Sequence, residues 1–430
     1  MKRSRWFTRL TLLVALACQL GPVPVLAQDA PAADDPASRA IRVYQQHLSA
    51  MRHMHCRFTP SCSQYAIDAI ATYGIVEGSA RAADRLMRCN ASAEGRYPRN
   101  SEKLLVDPAG ESPGTASSVR VPRWLLLEPE GAEPPTAAAL TPERRSRLEE
   151  TVTFALQLEQ RGDCERASGE FQRAGMLADT IAAHAWAYAR IAHCYFGASQ
   201  WYFADRAYLT SAMLTRDDAR RASVGYGAAV SRFDAGAFVA CTRLLSDSAL
   251  TVSVANGEAF VPGSGGHANS GEDVALAPGG RVTALTGLCA FALGDWAVAE
   301  RTLARTAAAT PSAATRERVV RLAEAASRGP GLPHRSPGAA GVLSALVPGA
   351  GQIYAGHAQD GLRHLVFNAA LIYTVASLAQ HGQVPASVIV GSVALPFYLG
   401  NVLGAQDAAR RFNHQQRMRL LERSINESSR

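Results

Sequence analysis

Apolar residues recur at steps of three and four along much of the chain, which predicts helices joined by irregular segments and an all-α fold. Between 38 and 55, Ile41, Tyr44, Leu48 and Met51 make one stripe, with Arg39, Arg42 and Arg52 off it. Such a helix suits an anionic membrane surface, and equally a core with a solvated back. Pro60 then stops a helix, and Ser61 or Ser63 can cap the next. Gly74 lies where that second helix should end. A third is expected from about 76 to 88, with Arg81, Arg85 and Arg88 on one face. Residues 92–142 hold eight prolines and read as a linker or irregular arm. Its one apolar cluster, Trp124 to Leu127, is expected to dock on a neighbour.

From Glu143 to Arg328 the pattern is helical and repetitive. Gly162, Ser199, Gly236 and Gly294 mark equivalent turns, separated by 37, 37 and 58 residues. Small and aromatic residues (Ala167, Phe171 and Ala174, then Ala299 and Leu303) sit where paired helices would touch. A Gly-, Ser- and Asn-rich insertion at 254–280 accounts for the long third interval. The frame is similar to the tetratricopeptide repeat family, which implies a curved solenoid that binds protein segments on its concave face and carries no enzyme activity. A generic helical bundle is the alternative. In that frame, the second helix of one repeat packs on the first helix of the next. This expects disulfides Cys164–Cys194 and Cys241–Cys289, with buried free thiols as the other reading.

Both ends carry membrane signals. Residues 2–9 are basic, 10–20 apolar, and Val25-Leu26-Ala27 offers small residues for cleavage, so 1–27 reads as a secretory signal peptide; a retained anchor is the alternative. Export would place the chain beyond residue 27 in an oxidising compartment. After the Pro- and Gly-rich 329–338, Pro348, Gly349, Gly351, Gln352, Tyr354 and Gly356 resemble the signature of small membrane modules of the TM2 type. Crossings are expected near 339–354, 365–379 and 385–403, with the first re-entrant or interfacial otherwise, and a basic tail at 405–430. Three crossings would put Arg363 and the tail in the cytoplasm, as the positive-inside bias favours. Asn368, Asn401 and Asp407 are candidate polar contacts between these helices.

Charge narrows where contacts should be sought. The net charge is +7 over 430 residues, and the excess sits in 38–103 and in the tail, while 104–403 is slightly acidic. No extended basic track serves a nucleic-acid backbone, so no nucleic-acid partner is expected. The expected partners are membrane lipid and other envelope or insertase proteins. The sequence contains no CxxC, HExxH, GxSxG or phosphate loop.

The run from Tyr44 to Asn90 carries the most specific pattern. It includes Arg42, Tyr44-Gln45, Ser49, Cys56-Arg57-Phe58, Pro60, Cys62-Ser63, Tyr65-Ala66, Ala69-Ile70, Tyr73-Gly74, Gly78, Arg85 and Arg88-Cys89-Asn90. These residues resemble the YidD family of membrane-protein-insertion efficiency factors, also called the haemolytic domain, over 38–91. The resemblance implies a small membrane-peripheral helical domain that assists the insertase and translocon machinery, without enzymatic activity. It departs from the family where Ala91 replaces a proline and 92–100 lacks the usual glycine-rich tail. The family domain is also expected on the cytoplasmic face, whereas an export signal would put this one in the periplasm. The resulting expectation is a non-enzymatic accessory factor of the bacterial inner membrane, with its module and repeats periplasmic. The alternatives are a periplasmic scaffold for an envelope complex and a thiol-exchange enzyme using Cys56 and Cys62. The Cys56-x5-Cys62 spacing is not that of a usual zinc knuckle, so no metal or other cofactor is assigned. A thiol catalyst would need activation by Arg57 or Arg88. Structural cysteines with one disulfide are the favoured reading.

Overall fold

The computed structural model describes residues 36–47, 56–94, 96–97, 99, 103–107, 109, 119–126, 131, 133–136, 140–246, 276 and 278–428. The signal at 1–27, His53, His55 and most of the 254–280 insertion lie outside the described residues. The described chain is all-α apart from one pair of two-residue strands. It divides into two compact units: residues 1–116 with 333–416, and residues 117–332 with 417–430.

The first unit begins with α1 (Pro36–His47), which packs on α2 (Cys62–Arg88). Ser61 caps α2 by accepting from the Gln64 backbone N–H. At Gly74 the backbone turns left-handed, with φ 80° and ψ 171°, and α2 folds into two arms. They close where Gly78 lies against the Ala69–Ile70 backbone; a Cβ there would come within 2.5 Å of the Ile70 Cα. β1 (Phe58–Thr59) pairs in parallel with β2 (Leu105–Val106). Ala93, Tyr97 and Leu105 join Phe58 in a small core, so chain that reads as the start of a linker is ordered on the module.

The same unit contains α12 (Pro337–Leu346), α13 (Ala350–Tyr354), α14 (Ala358–Gln380) and, as far as residue 416, α15 (Val384–Ser428), whose remaining residues belong to the second unit. Among the described residues, only α14 and α15 are long and apolar enough to cross a bilayer. Val366, Ile372, Tyr373, Val388, Ile389 and Val393 are exposed along them, as lipid-facing positions would be. The segment 339–354, read as a possible third crossing, is broken instead. Pro348 and Gly349, at φ 88°, end one ten-residue helix and start a five-residue one. At about 1.5 Å per residue, neither arm approaches the ~30 Å of a hydrocarbon core. Such a broken pair is compatible with the re-entrant and with the interfacial alternative alike.

The second unit is a run of helices, each packed on its sequence neighbours: α3 (Pro142–Gln160), α4 (Cys164–Ala178), α5 (Ile181–Gly197), α6 (Trp201–Leu214), α7 (Asp218–Asp234), α8 (Phe238–Leu245), α9 (Pro278–Leu293), α10 (Trp296–Ala309) and α11 (Ala313–Ser327). Gly162, Ser199, Gly236 and Gly294 all adopt positive φ, so the four turn positions share one backbone state. Asp163, Thr180, Asp217 and Asp295 each cap the helix that begins just after them. Phe171 and Trp186 meet edge to face at 5.6 Å in one core. The cluster at 124–127 docks through Leu125, which is fully buried. Tyr226 donates to the Leu125 carbonyl (2.9 Å), and the Val121 N–H donates to Asp234 (2.8 Å).

Candidate functional site

The described residues that bear chemistry cluster in the first unit, where the second arm of α2 meets α14 and α15. Arg81, Arg85 and Arg88 share one face of α2, but that face is not a free basic surface. Arg85 is fully buried, with its guanidinium between the rings of Phe58 (4.0 Å) and Tyr65 (4.5 Å). It donates to the carbonyls of Asp107 (2.6 Å) and Pro60 (3.1 Å) and pairs with the Asp107 carboxylate at 3.2 Å. Arg88 donates to Asp84 (2.6 Å) and to Tyr97, and pairs with Asp107 at 3.3 Å. Arg81 pairs with Glu77 (2.8 Å) and Asp407 (3.2 Å). The motif residues Phe58, Pro60, Tyr65, Arg85 and Arg88 thus surround one buried ion network closed by Asp107.

That network continues into the membrane hairpin. His364 lies 3.6 Å from Asp84. Burial alone would raise the Asp84 carboxyl, but Arg88, with His364 and Arg411, holds it well below the usual carboxylate range. Asp360, in the first turn of α14, accepts from Ser92 (2.9 Å) and Arg96 and pairs with Arg363 (3.1 Å). Arg363 also donates to Asn90 (2.8 Å), whose side chain caps the turn at Ser92. Backbone contact matches this polar seam: Gly400 sits against the Ala80 carbonyl, and Gly404 against the Asp84 carboxylate. The sequence 400–404 reads Gly-Asn-Val-Leu-Gly, a spacing that lets helices approach closely. Sequence reasoning missed it, although the motif was legible.

A second polar latch holds the α12–α13 turn on α15. Asn401 is fully buried and accepts from the Gly349 N–H (2.8 Å) while donating to the Ser344 carbonyl (2.8 Å). Gln352 donates to the Asn401 carbonyl (2.8 Å), and the Ser344 hydroxyl donates to Gln352 (2.8 Å). Tyr354 accepts from the Ser336 N–H, and Gly356 turns with φ 89° into α14. A Cβ on Gly349 would strike the Gly361 carbonyl. The signature glycines therefore work as close-approach and turn positions. Asn368, a candidate contact between helices, donates within its own helix to the His364 carbonyl (2.9 Å).

The described cysteines fall into three groups. Cys56, Cys62 and Cys89 converge as half-buried free thiols, with Cys56 Sγ 3.4 Å from Cys62 and 3.7 Å from Cys89. They are the one group of three among the described residues with the spacing of metal ligands. Hydrogen bonds from its neighbours lower the Cys56 thiol, and the same contacts raise Cys62. Arg57 is exposed and engaged by Glu94 (2.7 Å), and Arg88 is engaged by Asp84, so neither is free to activate a thiol. Ser63 donates to or accepts from Ser61 (3.2 Å) and accepts from Gln45 (3.0 Å). In the second unit Cys164 and Cys194 form a disulfide, whereas Cys241 and Cys289 are buried thiols beside each other.

The family model described as "Putative membrane protein insertion efficiency factor" (YidD) matches residues 34–99. A relative of that description from Clostridium beijerinckii is 51% identical over 59 residues, which are 14% of this chain and 86% of the relative. One from Moorella thermoacetica is 47% identical over 58 residues, 14% of this chain and 83% of the relative. One from Aeromonas salmonicida is 44% identical over 61 residues, 14% of this chain and 74% of the relative. No solved structure matches.

Proposed function

Because the chain belongs to the YidD family through residues 34–99, we infer that it is a non-enzymatic, membrane-anchored accessory factor for membrane protein insertion or envelope biogenesis. The observation that carries this reading is the full-module match, joined to a hairpin of two apolar helices whose polar base grips the module. In this reading the module is held at the membrane surface by its own anchor, instead of docking there through a free basic face. The repeat-like unit binds protein segments of an insertase or envelope partner. The host membrane is the bacterial inner membrane. A functioning export signal would place the module, the repeats and both outer ends of the hairpin in the periplasm, where the Cys164–Cys194 disulfide is supported. The arginine-rich tail opposes that orientation.

The test is pulse-labelled integration of a multi-spanning client in cells with and without the full chain, read by protease protection. Slower integration on deletion, restored by the chain, supports the role; unchanged integration overturns it. Alkaline phosphatase fused after Arg430 reads the orientation separately. Active enzyme is expected, and an inactive fusion at normal abundance would reverse the assigned face.

A further inference from the structure

The fold brings together three thiols of the module, two of them six residues apart and the third, Cys89, from the far end of α2. Cys62 opens α2 and Cys89 comes directly after its last residue; the break at Gly74 returns the end of the helix to its start. Cys56 precedes β1, which Leu105 and Val106 hold in place. All three sulfurs lie within 4.8 Å of one another, and the shortest separations are 3.4 and 3.7 Å. A disulfide needs sulfurs about 2.05 Å apart and would leave the third thiol unused. Three thiolates at about 2.3 Å from a tetrahedral zinc stand about 3.8 Å from one another. The observed separations are close to that triangle. The surroundings also suit thiolates. The Cys62 backbone N–H donates to Cys56 Sγ at 3.3 Å, and the first turn of α2 presents its dipole to the sulfurs. Cys56 and Cys89 pack against Phe58, Ala93, Tyr97 and Leu105, which shields one side, while the half-exposed thiols leave an entry path on the other.

We propose that Cys56, Cys62 and Cys89 form a three-thiolate site for a thiophilic d10 cation of the Zn2+ type, with the fourth position open. On binding, each thiol that ligates gives its proton to solvent, three metal–sulfur bonds form, and no oxidant or reductant is consumed. The bound cation ties the segment before β1 to both ends of α2. It is therefore a structural clamp on the module, independent of the insertion role.

The experiment uses the full chain in detergent, purified without oxygen, in a Cys241→Ser/Cys289→Ser background that removes the buried thiol pair. Zn2+ is titrated against a chromophoric chelator. One equivalent per chain is expected, weakened at least tenfold by Cys56→Ser, Cys62→Ser or Cys89→Ser. Co2+ added to the same background is expected to give an intense sulfur-to-cobalt charge-transfer band with tetrahedral visible absorption, which keeps the test meaningful where a serine variant misfolds. Absence of stoichiometric Zn2+ binding, a Co2+ spectrum without thiolate charge transfer, or a Cys56–Cys62 disulfide in the oxygen-free protein would each overturn the site.

Discussion

The two units reach stability by different physics. The repeat-like unit buries Ala, Leu, Phe and Trp between successive helices, and many of its ion pairs lie on the surface, such as Arg173 with Glu170. The module with its hairpin buries Asp84, Arg85, Arg88, Asp107, Asp360 and His364. An apolar core is non-directional and tolerates repacking, whereas a buried charge requires its partner. The first unit is accordingly specified by particular pairs across distant parts of the chain, and the second by local repetition. A buried network of this kind costs desolvation, so its contribution is better read as orientation than as stability.

The sharpest break in that contrast is Asp84→Ala. It leaves Arg88 without its nearest carboxylate inside the protein, and a loss of about 3–5 kcal/mol is expected for the first unit. Limited proteolysis of the full chain in detergent reads it, with the second unit unaffected. Phe171→Ala in the second unit removes a ring from the contact with Trp186 and is expected to cost about 3–4 kcal/mol, seen as earlier thermal unfolding of that unit alone.

The two units also respond to pH with opposite signs. Asp84 is held below its ordinary value, so its contribution is present above about pH 4 and is lost as the pH falls further. Asp234, with burial as the main cause and opposed by the Val121 N–H and Arg120, is pushed up to about 6. Its protonated form is favoured in the fold, so this contribution is present at low pH and lost as the pH rises from about 4 through 6, on the order of 3 kcal/mol. Unfolding of the second unit across that window should show the slope, and Asp234→Asn should flatten it. At the small end, Arg173→Ala breaks an exposed pair and should shift stability by less than about 0.5 kcal/mol in the same assay.

Legibility in the sequence divides along the same line. The helix break at Gly74 and the four turn positions are local backbone requirements, visible in residue type and spacing. The pairing of Arg81 with Asp407, or of Arg85 with Asp107, is not local. A basic helical face looks alike whether it meets lipid, water or carboxylates from elsewhere in the chain. Asp107 lies in proline-rich sequence whose composition reads as a linker, yet it closes the network under Phe58 and Tyr65. The 339–354 stretch is apolar enough to read as a crossing, and only the left-handed Gly349 and its approach to Gly361 reveal the turn. The three cysteines lack a familiar metal spacing because the third, Cys89, is returned to Cys56 and Cys62 by the folding of α2 at Gly74.

The grip of the hairpin on the module is tested most directly in native membranes, with a photo-reactive amino acid in place of Arg81, whose guanidinium meets Asp407. After illumination, mass mapping should find an intrachain crosslink to α15 near Asp407. Crosslinks found only to lipid or to other proteins, with the module intact, would contradict the grip and return the basic face of α2 to the membrane surface.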